Sequence, residues 1–286
     1  MPRNIVTWHP APMTDPRHVL VTGANSGIGL ATVLHLADRG FRVTGSVRSK
    51  AKAGIVQDAA KEAGVRVETV QLDVTDADAC ERVMGELGAL HGLVNNAGYG
   101  LTGAIEDVPD DEARQVLETM VLAPMRLARL AIPAMRDAGG GRIVNISSIY
   151  GRTATPLTGW YQGSKHALEG LSDALRMEVA QDGIHVILVE PGGFKTNIWE
   201  DLERDLANRQ GSRYESAYQR IGGLTSMWEP LMGEPASCAK VIGRALETSI
   251  PRARYLVGAD AKLMAAASQL TPTMVKDRIL RIAQGL

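Results

Sequence analysis

The chain has 286 residues, of which 45% are hydrophobic and 22% charged, which permits a sizeable core and argues against global disorder. Lys and Arg total 31 against 32 Asp and Glu, so no global basic balance points to nucleic acid or an anionic membrane. Cys80 and Cys238 lie far apart and make neither a disulfide framework nor a metal-ligand spacing, six scattered histidines show no ligand spacing, and no apolar run approaches the ~18 residues of a membrane span.

Residues 1–16, with Pro2, Pro10 and Pro12 and no apolar signal core, read as a flexible leader. His18–Thr22 reads as a strand, followed by glycines at 23, 27 and 29 and a helix over Ile28–Asp38. A strand follows over Arg42–Arg48, a helix ending at Ala63, a strand over Val65–Val74 and a helix over Ala77–Leu87. Gly92–Asn95 reads as a buried strand. Asp110–Asp137 is a long helical stretch in which Pro124 and Pro133 predict a bend or break. Arg142–Ile146 is a strand, Gly159–Gln181 a helix, His185–Val189 and Tyr255–Val257 strands, and one or two helices end the chain. Alternating strands and helices predict an α/β fold: one Rossmann-type, doubly wound parallel sheet with helices on both faces, in a single domain over 17–286. Residues 197–235 break the alternation. With Trp199, Tyr214, Tyr218, Leu224, Met227, Trp228, Leu231 and Met232, they read either as an apolar substrate lid or as a satellite core or subunit contact.

Thr22-Gly23-Ala24-Asn25-Ser26-Gly27-Ile28-Gly29 stands after the first strand and opens a helix. Glycines there allow a tight turn and close backbone approach, and a helix N-terminus offers free N–H groups to a phosphate. Dinucleotide sites usually place an acid ~20 residues on, at the ribose hydroxyls. No Asp or Glu occurs between Asp38 and Asp58, and the second strand ends in Arg48. A carboxylate would repel a 2′-phosphate and an arginine would bind it, so NADP(H) is preferred, with NAD(H) possible. Asp73-Val74 and Asn95-Asn96-Ala97-Gly98 end the third and fourth strands, where an open parallel sheet binds its ligands.

Ser148, Tyr161 and Lys165 are spaced by twelve and three residues, and Tyr161 alone of six tyrosines has a lysine four positions on. On a helix those two share a face. An ammonium ~4 Å from the phenol, at an effective dielectric of ~20, contributes ~4 kcal/mol and could lower the tyrosine pKa by ~3 units from ~10. Such a tyrosine suits acid–base work on a carbonyl or alcohol.

These motifs, together with Pro191-Gly192-x-x-x-Thr196, occur in order and at the spacing of the short-chain dehydrogenase/reductase superfamily, whose shorter single-domain branch the chain resembles. The resemblance implies a seven-stranded parallel sheet and hydride transfer between nicotinamide and a carbonyl carbon. It implies Tyr161 as proton donor or acceptor, Ser148 on the substrate oxygen, and Lys165 on the nicotinamide ribose. Pro191, Gly192, Phe194 and Thr196 would line the nicotinamide. Gly23, Asn25, Ser26, Gly27, Ile28, Gly29, Arg48, Asp73, Val74, Asn95, Asn96, Ala97 and Gly98 would line the rest of the cofactor. Met120 stands where the family usually has an asparagine that orders a relay water, and no asparagine occurs from Ala97 to Ile143. That departure puts the relay in question, since a thioether is a weak acceptor. The expected function is an NADP(H)-dependent oxidoreductase on a ketone, aldehyde or alcohol, hydrophobic in character, in a cytoplasmic homodimer or homotetramer. A nucleotide-binding regulator with lost turnover is the alternative from another class. An isomerase or epimerase would need a larger C-terminal domain than the chain has room for.

Overall fold

The computed structural model describes residues 17–196, 198–228 and 232–286. Seven parallel strands form one sheet: β1 (His18–Val21), β2 (Arg42–Val47), β3 (Glu68–Gln71), β4 (Gly92–Asn95), β5 (Gly141–Ile146), β6 (Ile184–Pro191) and β7 (Arg254–Val257). Their order is β3-β2-β1-β4-β5-β6-β7. The order reverses between β1 and β4, and the crevice at their carboxyl ends is where a doubly wound sheet takes its ligand.

β1, β4 and β5 read as near-continuous runs of buried residues because both faces are covered. On one face α1 (Gly27–Asp38), α2 (Lys50–Glu62) and α9 (Pro235–Glu247) close a core around Val19, Val21, Leu36 and Ile242. On the other, α3 (Ala77–Leu87) and α5 (Ala123–Asp137) close a second around Leu20, Leu93, Leu127 and Ile143. The expected strand over Val65–Val74 shrinks to Glu68–Gln71, since this edge strand pairs only with Thr44–Val47.

The long helical stretch is interrupted where a proline was expected to break it. α4 (Asp110–Leu117) passes through a π-turn over Glu118–Leu122 before α5, with the Ala123 N–H bonded to the Glu118 carbonyl. Pro124 has no N–H to give the carbonyl of Met120, four residues back, and the wider turn accommodates that loss. Pro133 lies inside α5 without ending it. α6 (Gly159–Glu178) runs beside β5 and β6 and carries Tyr161 and Lys165.

The 197–235 stretch folds as α7 (Ile198–Asn208) and α8 (Glu215–Trp228). Two carboxylates of α7 clamp the loop after β4: Asp201 accepts from the Gly100 amide at 3.0 Å and Asp205 from the Thr102 amide at 2.7 Å. The Tyr218 hydroxyl accepts from the Ala104 amide and donates to Asp107. Residues 197 and 229–231, with Leu231, and the side chains of Trp199, Leu224, Met227 and Trp228, lie outside the described residues, as does the leader at 1–16. α10 (Ala259–Leu270) and α11 (Thr273–Gln284) close the chain.

Candidate active site

The loop after β1 is built around its glycines. Gly23 and Gly27 hold φ of +66° and +51°, the left-handed region that favours glycine. A Cβ on Gly29 would collide with the Gly23 carbonyl oxygen, so α1 can approach the loop only through a glycine there. The loop is tied to the end of β4: Thr22 Oγ1 accepts from the amides of Asn96 (2.9 Å) and Ala97 (3.0 Å), and Asn96 Nδ2 donates to the carbonyls of Thr22 and Gly23. Ser26 precedes α1 in extended conformation and makes no side-chain cap. The first-turn N–H groups of α1 thus keep their capacity for an anion. A cradle that a single Cβ would fill, at an uncapped helix N-terminus, fits a dinucleotide pyrophosphate.

At the adenosine end, Arg48 is exposed just past β2, and no carboxylate stands at that strand's end. Asp73 Oδ1 accepts from the Thr75 amide and hydroxyl at 3.0 and 2.7 Å. Burial would raise the Asp73 carboxyl, but the two Thr75 bonds and the Arg48 charge outweigh it and hold it below the usual range.

Three expected contacts are corrected. Asn95 is buried and its amide donates to Asn145 Oδ1 (2.8 Å) and the Pro124 carbonyl (3.3 Å), so the side chain joins β4, β5 and α5 and is turned away from a cofactor. The Val74 side chain packs in the core and its carbonyl accepts from Arg126 and the Cys80 thiol. The Phe194 ring lies in the α1/α9 core and against Gly233. Pro191 ends β6 and Gly192 pairs with the Val257 carbonyl, while Thr196 reaches across the crevice to within 3.0 Å of where a Gly27 Cβ would stand. The segment after β6 therefore reaches the glycine loop.

Ser148, Tyr161 and Lys165 come together. Ser148 follows β5 and its Oγ accepts from the Tyr150 amide at 3.2 Å. The Ser148 side chain acts on the Tyr161 phenol in the direction that favours its ionised form. Lys165 Nζ donates to the Ile146 carbonyl at 2.9 Å and stands 5.7 Å from the Tyr161 ring centroid. The expected depression of the tyrosine pKa does not arise from these residues alone. Burial pushes Tyr161 up to about 12, against the influence of Ser148, and pulls Lys165 down to about 8, against the Glu169 charge. The ammonium sits over the side of the ring, bonded to a carbonyl, and each group is governed by its own desolvation.

Met120 is 1% exposed and packs with Leu101, Val116, Trp160 and Tyr161. Its thioether lies 3.1 Å from where a Cβ on Gly98 would stand, which fits this glycine to its neighbour. Tyr150 meets Tyr161 edge-on at 6.4 Å between centroids. Tyr99, Leu101, Tyr150 and Trp160 thus give the region beside the phenol an aromatic and apolar wall.

Sequence reading missed a buried ionic cluster behind the site. Glu190, 0% exposed and just before Pro191, pairs with Arg152 (2.7 Å) and Arg254 (3.3 Å), and Arg254 also pairs with Glu169 (3.1 Å) and Asp173 (2.5 Å). The cluster ties the segment after Ser148, the helix of Lys165 and the strand ending at Pro191. One signal was available: Tyr161, Lys165 and Glu169 recur every four residues, on one face of α6. Asn145 was legible in the same way, as a polar residue in a buried strand beside Asn95, with which it pairs in register.

A phosphate cradle at the β1/β4 crevice and a Ser–Tyr–Lys constellation beside it define a nicotinamide-dependent oxidoreductase. The short chain dehydrogenase profile matches residues 17–207. The chain is 34% identical over 270 residues to the uncharacterized oxidoreductase YusZ of Bacillus subtilis, covering 92% of this chain and 96% of that one. It is 33% identical over 276 residues to an NADPH-dependent 3-dehydrocapnine reductase of Ornithobacterium rhinotracheale, covering 92% and 95%. A solved short-chain dehydrogenase from Streptomyces avermitilis superposes with a TM-score of 0.77 at 33% identity, covering 93% and 95%. The chain belongs to the short-chain dehydrogenase/reductase superfamily.

Proposed function

We propose that the protein is an NADP(H)-dependent oxidoreductase of a hydrophobic ketone or aldehyde and the corresponding alcohol, with Tyr161 as acid and base. The observation that carries this reading is the convergence of Ser148, Tyr161 and Lys165, with the Lys165 ammonium 5.7 Å from the Tyr161 ring centroid, at the end of the sheet where the glycine loop lies.

The uncapped first turn of α1 with Gly23, Gly27 and Gly29 would hold the pyrophosphate, Arg48 the 2′-phosphate, Asp73 and Asn96 the adenosine side, and Pro191, Gly192 and Thr196 the nicotinamide side. When bound, the cofactor supplies a hydride to the carbonyl carbon. Ser148 orients the carbonyl oxygen and Tyr161 gives that oxygen its phenolic proton, completing the alcohol. Lys165, charged below about pH 8, would bind ribose hydroxyls and oppose negative charge left on the phenol. The absence of an acid after β2 and the NADPH dependence of the Ornithobacterium relative support the cofactor preference. The wall of Tyr99, Leu101, Tyr150 and Trp160 supports an apolar substrate. Self-association through the helical stretch 110–137 and α6 belongs to the same reading, supported by exposed Leu122 of the π-turn and Leu171 and Met177 of α6.

Titration of the purified protein with NADPH and NADH, followed by hydrophobic ketones and aldehydes in the same cuvette, tests the reading. Tighter binding of NADPH, with its oxidation by a panel member, is expected. Binding of neither cofactor contradicts it.

A further inference from the structure

α11 has no buried residue. Val275, Ile279 and Ile282 recur at i, i+4 and i+7 of α11, so they form one stripe, and they are 50%, 58% and 66% exposed. Leu270 and Met274, at the turn into the helix, are 83% and 86% exposed. Lys276, Leu280 and Gln284, four apart, are the partly covered positions, so the helix faces the body along that line and the apolar stripe points away from it.

The charge on this helix is predominantly positive. α11 carries Lys276, Arg278 and Arg281 against a single acid, Asp277. Arg220 of α8 adds a fourth cation where its guanidinium packs against Gly285. The chain as a whole is balanced at −1, so this is a local departure. An apolar stripe edged by cations is the pattern of a helix lying in a membrane interface. Twelve residues reach about 18 Å, too short to span a bilayer, so the helix would lie flat. A second copy is the other candidate occupant. A two-fold contact would set this face against itself and bring Arg278 and Arg281 towards their own duplicates, which repels.

The helix is joined to the site region through α10. α11 packs on α8, and α10, which leads into it, lays Ala261 and Ala265 against Ile149, the residue after Ser148. We propose that α11 docks the protein flat on an anionic bilayer surface, presenting the active-site end to substrates dissolved in the membrane. The substrate clause rests on the function proposed above; the docking clause does not.

Cosedimentation with phosphatidylcholine vesicles, and with vesicles mixed with phosphatidylglycerol, tests it. The parent should bind the mixed vesicles more tightly than the neutral ones, and high salt should weaken that binding. Ile279→Glu with Ile282→Glu should lower the partition at least about tenfold while leaving oxidation of NADPH by a water-soluble ketone unchanged. Arg278→Glu with Arg281→Glu should remove the preference for anionic lipid. Failure of the parent to bind either vesicle overturns docking, as does binding indifferent to phosphatidylglycerol. A dimer that Ile279→Glu with Ile282→Glu dissociates without altering vesicle binding overturns it too. Vesicle binding without any ketone turnover upholds docking and removes the enzymatic reading.

Discussion

Glu169 follows Lys165 by one turn of α6, and its charge opposes the burial that draws the lysine down to about 8. Arg254 holds the Glu169 carboxylate at 3.1 Å and links it to Glu190 beneath Pro191. Burial thus governs the active-site lysine, and the carboxylate that opposes it belongs to an ionic network behind the site.

A pH dependence follows. The ammonium persists below pH 8 and is lost above it, so the reductive rate should fall as pH rises through about 8. Glu169→Gln removes the influence that raises Lys165, so the falling limb should move to lower pH, and Glu169→Asp should restore part of the shift. A limb that stays in place in pH–rate profiles of Glu169→Gln would separate the two residues.

The same burial bears on stability. The folded pKa of Lys165 lies below its unfolded value of 10.5, so the folded state releases this proton first. Its contribution should rise with pH between about 8 and 10.5, because there the unfolded chain binds more protons. Lys165→Met should therefore raise Tm at pH 7 while abolishing turnover, measured by thermal unfolding beside NADPH oxidation.

Arg48→Asp should turn the cofactor preference from NADPH to NADH. A bidentate, charge-assisted contact worth about 1.5–3 kcal/mol corresponds to a swing of at least about tenfold in the ratio of kcat/KM values. An unchanged ratio would free Arg48 from reading the 2′-phosphate.

Met120→Asn should destabilise the fold by about 2–4 kcal/mol, because it replaces an apolar side chain in a cluster with Leu101, Val116 and Tyr161 by an amide. Urea unfolding measures the loss. A variant as stable as the parent would mean that this part of the core already accommodates a polar group.

The sheet was legible because its signals are local. A strand over Gly92–Asn95 and a helix over Ala77–Leu87 are found with the expected bounds. The glycine loop, Tyr161 and Lys165 could be read from spacing, since a turn and a helix face are properties of near neighbours. What was missed depends on residues far apart in the chain. The strand over Val65–Val74 was drawn too long because its length depends on what β2 offers in pairing. Asp201 and Asp205 cap Gly100 and Thr102 across about a hundred residues, and neither carries a motif. Asn95 and Phe194 were drawn into the cofactor site by position, whereas their side chains turn inward. Pro124 predicts a bend or break, and the structure answers it with one wide turn that includes Met120.

The central claim is that Tyr161 supplies the proton. It is tested most directly by measuring NADPH affinity and NADPH oxidation side by side for the parent and Tyr161→Phe, with any ketone that the parent turns over. NADPH affinity of Tyr161→Phe should stay within a few-fold of the parent, and its rate should be lower by about 10²–10⁴. A rate within tenfold of the parent, with the fold intact, would contradict it.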